Sequence, residues 1–181
     1  MRAIDLQSGQ ACGIPERTVL CLGNFDGVHR GHQALIRAAR ELRDARFPDA
    51  ALGVFCFRGL SSDWLAADPP GHLTDEDERL RRFRAAGAEM ALPADFPALR
   101  DTPPEVFVRE ILVRDCHCVA AACGFNHRFG RMGAGTPELL RELLDGNVLV
   151  CPAVLSGGEP ISSTRIRRLL TEGRPDAAAE L

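Results

Sequence analysis

The chain has 181 residues, 45% hydrophobic and 26% charged, which suits one α/β domain with a buried core and excludes disorder. Its 22 basic and 25 acidic residues sum to a formal charge of −3, so it offers no global positive field to a nucleic acid. Every basic residue is Arg, which excludes a P-loop lysine and leaves phosphate to Arg forks, backbone N–H groups or His.

No run of about 18 apolar residues is present, and Met1 to Gly9 lacks the apolar core of a signal peptide; the expectation is a cytoplasmic protein with no membrane segment. The seven cysteines (Cys12, Cys21, Cys56, Cys116, Cys118, Cys123, Cys151) are odd in number and contain no C-x-x-C pair, so they read as reduced core residues. Cys116-His117-Cys118 reads as strand packing rather than a zinc site, because alternate residues of a strand point to opposite faces.

In chain order, the first apolar run predicts a strand over Val19 to Gly23. A glycine-rich turn follows. Leu35, Ile36, Ala39 and Leu42 then mark one face of a helix over Gly31 to Arg46, with Pro48 beyond its end. Ala51 to Phe57 is the second strand, followed by a long connection, Arg58 to Leu73. A helix over Asp75 to Ala86 has Thr74 as its expected cap, acidic residues in its first turn and Gly87 as its stop. Ala88 to Leu92 is the third strand. A helix capped by Thr102 runs from Pro103 or Pro104 to Val113, ahead of a strand over Cys116 to Cys123. After a second long connection, Gly124 to Thr136, come a helix over Pro137 to Leu144 and a strand over Asn147 to Cys151. A last helix starts after Ser162-Ser163 and stops at Gly173. Strands alternating with helices predict α/β: a parallel sheet of about five strands with helices on both faces, and loops after the strands lining a ligand crevice.

The strongest chemical signal is Gly23-Asn24-Phe25-Asp26-Gly27-Val28-His29-Arg30-Gly31-His32, which joins the first strand to the first helix. Its glycines let the backbone approach a ligand and expose N–H groups at a positive helix end, an anion site. His29 and His32 are three residues apart and can donate to the same phosphate. Charge stabilisation suits them better than covalent catalysis, which would need a third orienting group. Surface histidines on an ordinary turn are the bland alternative; the Gly spacing and the strand-to-helix setting together favour function.

This segment resembles the nucleotidyltransferases with an H-x-G-H motif, and in detail the FMN adenylyltransferase module of bacterial FAD synthetases. The resemblance covers nearly the whole chain and implies a Rossmann-like nucleotidyltransferase fold. It also implies a reaction in which the acceptor phosphate attacks the α-phosphate of ATP in line, releasing pyrophosphate, with magnesium present. By that resemblance His29 and His32 are the motif histidines, and Gly23, Asn24, Phe25, Asp26, Gly27 and Gly31 form the nucleotide-binding turn. Ile161-Ser162-Ser163-Thr164-Arg165-Ile166-Arg167 resembles the family's I/V-S-S-T-x-I-R signature. It implies nucleotide contacts from Ser162, Ser163 and Thr164 and a catalytic, polyphosphate-binding role for Arg167. A plain helix cap would explain the hydroxyls by themselves.

Gly124-Phe125-Asn126-His127-Arg128-Phe129-Gly130-Arg131 resembles the G-x-N/D-F-x-F-G loop. It implies that Asn126 lies near the ATP ribose and the magnesium and that Arg128 and Arg131 add phosphate contacts, while His127 replaces the usual Phe and reads as a polar residue on a solvated loop. The same resemblance implies that the acceptor pocket lies at Phe57, Arg58, Leu73 and Thr74. Where the family shows T-F-x-P-H-P, this chain has Cys56-Phe57-Arg58-Gly59-Leu60-Ser61, so the prolines and the histidine are absent.

The resemblance implies a single nucleotidyltransferase domain over 1–181, ending about where a riboflavin kinase module would begin. The expected activity is transfer of AMP from ATP to FMN, giving FAD. The alternatives are a related enzyme using another phospho-acceptor or CTP, and a non-catalytic nucleotide- or flavin-binding protein. Partners are small molecules rather than nucleic acid or membrane.

Overall fold

The computed structural model describes residues 1–4 and 13–181. Cys12, expected in the core, lies outside the described residues. In chain order the elements are β1 (Arg2–Ala3), β2 (Thr18–Leu22), α1 (Arg30–Arg46), β3 (Ala51–Phe57), α2 (Ser62–Leu65), α3 (Glu76–Ala85), β4 (Met90–Ala94) and α4 (Phe96–Leu99). Then come α5 (Pro104–Val106), which continues as a π-helical stretch over Phe107–Asp115, β5 (Cys118–Gly124), α6 (Pro137–Leu143), β6 (Val148–Cys151), β7 (Leu155–Ser156), β8 (Glu159–Pro160), α7 (Ser163–Thr171) and α8 (Pro175–Ala179).

The strands β1-β4-β3-β2-β5-β6 form one sheet, and every pairing in it is parallel. This is the expected α/β sheet, with the short β1 as a sixth strand at its edge. Side chains alternate across it. On β2, Leu20 and Leu22 join Phe107, Val108 and Leu112 of the π-helical stretch and Leu140 of α6 on one face. Val19 and Cys21 join Leu35, Ile36 and Ala39 of α1 and Phe83 of α3 on the other. Both faces are covered, so the strands are apolar on both sides. Cys21, Cys56, Cys116, Cys118 and Cys123 are buried free thiols and Cys151 is half-buried; burial pushes Cys118 up to about 12.

Several local expectations change in the folded chain. Asp75, rather than Thr74, caps α3, its Oδ1 accepting the Glu78 N–H at 2.7 Å. Asp75 stands immediately before the first helical residue, where its carboxylate reaches the orphan N–H, while Thr74 is drawn into a tertiary contact described below. Thr102 does not cap the next helix, which begins after Pro103 without a side-chain cap; its carbonyl instead accepts the Arg131 N–H at 2.7 Å. That helix runs on to Asp115 in a π-helical winding, closed by an N–H to carbonyl bond from Cys116 to Ile111 at 3.0 Å. Cys116 and His117 precede β5 rather than lying on it, and His117 takes a left-handed φ of 52°. The β7–β8 hairpin and α8 have too few residues for periodicity to reveal them.

The strand order decides where a ligand can sit. From β2 the chain winds outward to β3 and β4, then returns to place β5 on the other side of β2. The crevice outside the carboxyl ends of β2 and β5 is therefore the topological switch point, the usual ligand site of open α/β sheets. The loops after these two strands are the glycine-rich turn and the Gly124–Thr136 connection.

Candidate functional site

A cleft of about 800 Å³ opens at that switch point, a size that suits a nucleotide or a cofactor. The turn between β2 and α1 forms its floor. Phe25 and Val28 occupy left-handed backbone at φ 53° and 42°, unusual for an aromatic and severe for a β-branched residue. Burial holds them there. Both are fully inaccessible, and Phe25 packs edge-on against Phe83 at 5.3 Å between ring centroids. Gly27 has φ 77°, and a Cβ there would meet the Leu73 side chain at 3.0 Å, so only glycine lets the loop before α3 close over the turn.

His29 is the N-cap of α1: its Nδ1 accepts the His32 N–H at 3.4 Å. Because Nδ1 is an acceptor, the imidazole proton sits on Nε2, which remains a donor. The two rings stack at 3.7 Å between centroids, tilted by 18°. Gly31 makes room for this, since a Cβ at that position would stand 3.1 Å from the His29 ring. Burial lowers the His29 pKa to about 4, opposed by the negative charge of Asp26. Burial, and then the neighbouring His29, also hold His32 well below the ordinary imidazole range. Both histidines are therefore neutral near pH 7. The Nδ1 of His32 is buried without a hydrogen-bond partner among the described residues, a deficit of roughly 1–3 kcal/mol that a ligand oxygen would remove.

Asp26 ties the cleft together. Its side chain is only 5% exposed and pairs with the Arg167 guanidinium from α7. Its Oδ1 accepts the Leu73 N–H at 3.0 Å, and its carbonyl accepts the Ser163 hydroxyl at 2.9 Å. The Thr74 hydroxyl accepts the Gly27 N–H at 3.2 Å, and Arg82 of α3 donates to the Gly27 carbonyl at 2.8 Å. Ser162 caps α7, accepting the Arg165 N–H at 3.1 Å. The N-termini of α1 and α7 thus border one cavity, and their positive ends give it an anion-binding floor.

Among the residues singled out in the sequence, His29, His32, Arg167, Gly23, Asn24, Asp26, Gly31, Asn126, Arg128, Ser162, Ser163, Thr164 and Phe57 line the cleft. Phe25 and Gly27 shape the turn from behind. Leu73 and Thr74 bind that turn, with Thr74 facing a smaller polar cavity beside Asp26, His72 and Arg79. Arg58 and Arg131 do not line the cleft. Arg58 pairs with Asp95 at 3.2 Å, and Arg131 is exposed. His127 is half-buried rather than solvated, stacks on Phe129 at 5.9 Å, and is lowered by burial to about 4.

The opposite wall is apolar; the sequence pointed to Phe57 there, but not to Leu60, Leu65 or Phe96. Phe57 packs edge-on against Phe96 at 5.1 Å, and Trp64 stacks behind Phe96 at 5.7 Å. Phe96 follows the end of β4, and the rule that loops after parallel strands line the crevice was the signal for it. Arg79 was also missed. Only 5% exposed, it donates to the carbonyls of Phe57 at 2.9 Å and Gly59 at 3.2 Å, and so holds the loop where the family's P-H-P would stand. No group of three or more His, Cys, Asp or Glu among the described residues could hold a metal ion by itself. No helix among them is long and apolar enough to cross a membrane.

The FAD synthetase family model matches residues 12–165. A bifunctional riboflavin kinase/FMN adenylyltransferase of Listeria monocytogenes is 29% identical over 178 residues, covering 90% of this chain and 52% of that protein. A Geobacillus thermodenitrificans protein whose name carries the same two activities is 34% identical over 180 residues, covering 92% of this chain and 89% of that protein. The chain therefore spans about half the length of the Listeria relative. A crystal structure described as a macrolide-efflux protein from Streptococcus pneumoniae matches all of this chain and 60% of that one, with a TM-score of 0.86 at 28% identity. Pantothenate synthetase from Thermus thermophilus shares the fold at 16% identity, with a TM-score of 0.60 over 98% of this chain and 71% of that one.

Proposed function

The chain belongs to the FAD synthetase family, and on that premise we propose that it transfers the AMP part of ATP to FMN in the cytosol, giving FAD and pyrophosphate. The observation that carries this reading is the meeting of two helix N-termini, those of α1 and α7, on one cleft with the loop after β5. A triphosphate fits such a floor.

An FMN phosphate oxygen attacks the α-phosphorus while the bond to the bridging oxygen of the β-phosphate breaks, and pyrophosphate leaves with that oxygen. No protein nucleophile takes part. In such a transfer positioning and charge stabilisation do most of the work. His29 offers its Nε2–H, held in that tautomer by the cap to the His32 N–H, and His32 offers its unpartnered Nδ1. Arg167, aimed by Asp26, serves the β- and γ-phosphates that leave. Ser162, Ser163 and Thr164 complete the phosphate floor, while Asn24, Asn126 and Arg128 border the nucleotide.

Magnesium enters with ATP as part of the substrate. Such an ion keeps several waters, and Asn126, which lines the cleft, is the side chain of this chain that would help hold it. The wall of Leu60, Leu65, Phe57 and Phe96 suits the planar isoalloxazine ring.

The test is direct: incubation with ATP, magnesium and FMN, with FAD and pyrophosphate followed by chromatography. Equimolar FAD and pyrophosphate are expected. Pyrophosphate release with phosphopantetheine but not FMN, or no FAD from ATP and FMN, would refute the reading.

A further inference from the structure

We infer that the last residues of the chain, Arg174–Leu181, are a positioning strap that sets the His29 cap and ties the starts of α1 and α7 together. The kinetic part of this inference rests on the function proposed above; the structural part does not.

Arg30 is the first residue of α1 and stands between His29 and Gly31. The first N–H groups of a helix have no partner within it. The Arg30 N–H is satisfied from the far end of the chain, by the Leu181 carbonyl at 2.7 Å. The Arg30 guanidinium also donates to the Glu180 carbonyl at 3.1 Å. Arg30 and Glu180 are 150 residues apart.

The same segment holds the other phosphate-binding helix. Ala178 and Leu181 are 8% and 7% exposed and pack with Ile161 and Leu169 in a cluster separate from the two sheet cores. Ile161 immediately precedes Ser162, the cap of α7. A group of four buried residues can open locally at far lower free energy than the sheet, so the strap can loosen while the fold persists.

The consequence for His29 is geometric. The Leu181 carbonyl orients the peptide joining His29 to Arg30, and that peptide aims both the Nδ1 acceptor and the Nε2 donor of the ring. Misplacing a catalytic group by about 1 Å can cost roughly a hundredfold in rate.

Substitutions in the full chain separate the strap from general stability. Relative to Arg30→Ala, which already lacks the exposed guanidinium bond to Glu180, Arg30→Pro removes only the N–H. Proline suits the first position of a helix, and His29, at φ −62° and ψ 171°, already has the extended backbone that a following proline demands. Leu181→Ser releases the strap from its apolar side. Arg30→Ala keeps the N–H and serves as the control.

Arg30→Pro and Leu181→Ser are each expected to lower kcat about tenfold, with KM for ATP changed by less than about threefold. Both are also expected to convert the His29 ring, followed by imidazole nitrogen NMR, from the single Nε2–H tautomer to a mixture. Arg30→Ala should stay within about twofold of the parent in kcat. Unchanged His29 nitrogen signals in both variants would overturn the inference, as would a loss confined to melting temperature or KM. Should one variant fail to fold, the other decides alone, since the two reach the strap through unrelated atoms. A parent protein that makes no FAD would sink the proposed function, while the NMR measurement would still decide the strap.

Discussion

The carboxylate of Asp26 and the guanidinium of Arg167 form an ion pair at the floor of the cleft, between groups 141 residues apart. Asp26→Asn keeps the shape and removes the charge. Arg167 then loses its ion pair and keeps the Gly71 carbonyl, which accepts its Nε–H at 2.8 Å, and the cost should be about 1–3 kcal/mol of stability in thermal melts. Weakening of ATP relative to AMP should appear in Asp26→Asn as in Arg167→Ala, because the arginine serves the β- and γ-phosphates. The double mutant should be little worse than Arg167→Ala; additive losses in titration calorimetry would show that the two act independently.

His29→Ala and His32→Ala should each lower turnover at least about a hundredfold with ATP affinity nearly unchanged. His29 also caps α1, so its removal mixes a stability cost of about 1 kcal/mol with the catalytic one. His29→Ser restores the cap without the Nε2–H. It should recover the melting temperature but not kcat. Recovery of both would make His29 a cap and nothing more.

The pH dependence follows from the depressed histidines. The unfolded chain, with an ordinary His29 pKa, binds more protons than the folded one between about pH 6.5 and 4, so this group's stability is complete above pH 6.5 and is lost as pH falls through about 4. His32 and His127 are shifted the same way and steepen the loss. Each proton contributes up to roughly 1.4 kcal/mol per pH unit. Urea melts from pH 8 to 4 should show flat stability and then a decline. The kcat of a neutral-imidazole mechanism should stay level from pH 6 to 8, and a tenfold fall per unit above pH 6.5 would require imidazolium instead.

Two arginines near the loop after β3 should behave differently. Arg58 pairs with Asp95 outside the cleft lining, so Arg58→Ala should leave the acceptor KM within about twofold. Arg79 holds the Phe57 and Gly59 carbonyls from a buried position, so Arg79→Met should raise the acceptor KM about tenfold and lower the melting temperature. Steady-state kinetics with FMN varied distinguishes the two.

Much of this protein was settled by local chemistry in the chain. The alternation of apolar runs with helix-period segments determined the parallel sheet, because strands covered on both faces must be apolar throughout. Gly27 and Gly31, with His29 and His32, marked the anion site, because the conformations and close approaches it needs are open to few other residues. The tertiary structure decided the rest. Nothing within a few residues of Asp26 signals Arg167, nothing near Arg30 signals Leu181, and α3 hides Arg79 behind the pattern of an ordinary amphipathic helix. Thr74 and Thr102 looked like caps because a hydroxyl before a helix meets the local rule, yet a long-range contact claimed the Thr74 hydroxyl, and Pro103 rather than Thr102 stands at the start of the next helix. A backbone conformation or a hydrophobic period is a property of neighbours in sequence. An ion pair or a carbonyl placed under a distant helix start exists only once the strand order has brought those segments to the same edge of the sheet.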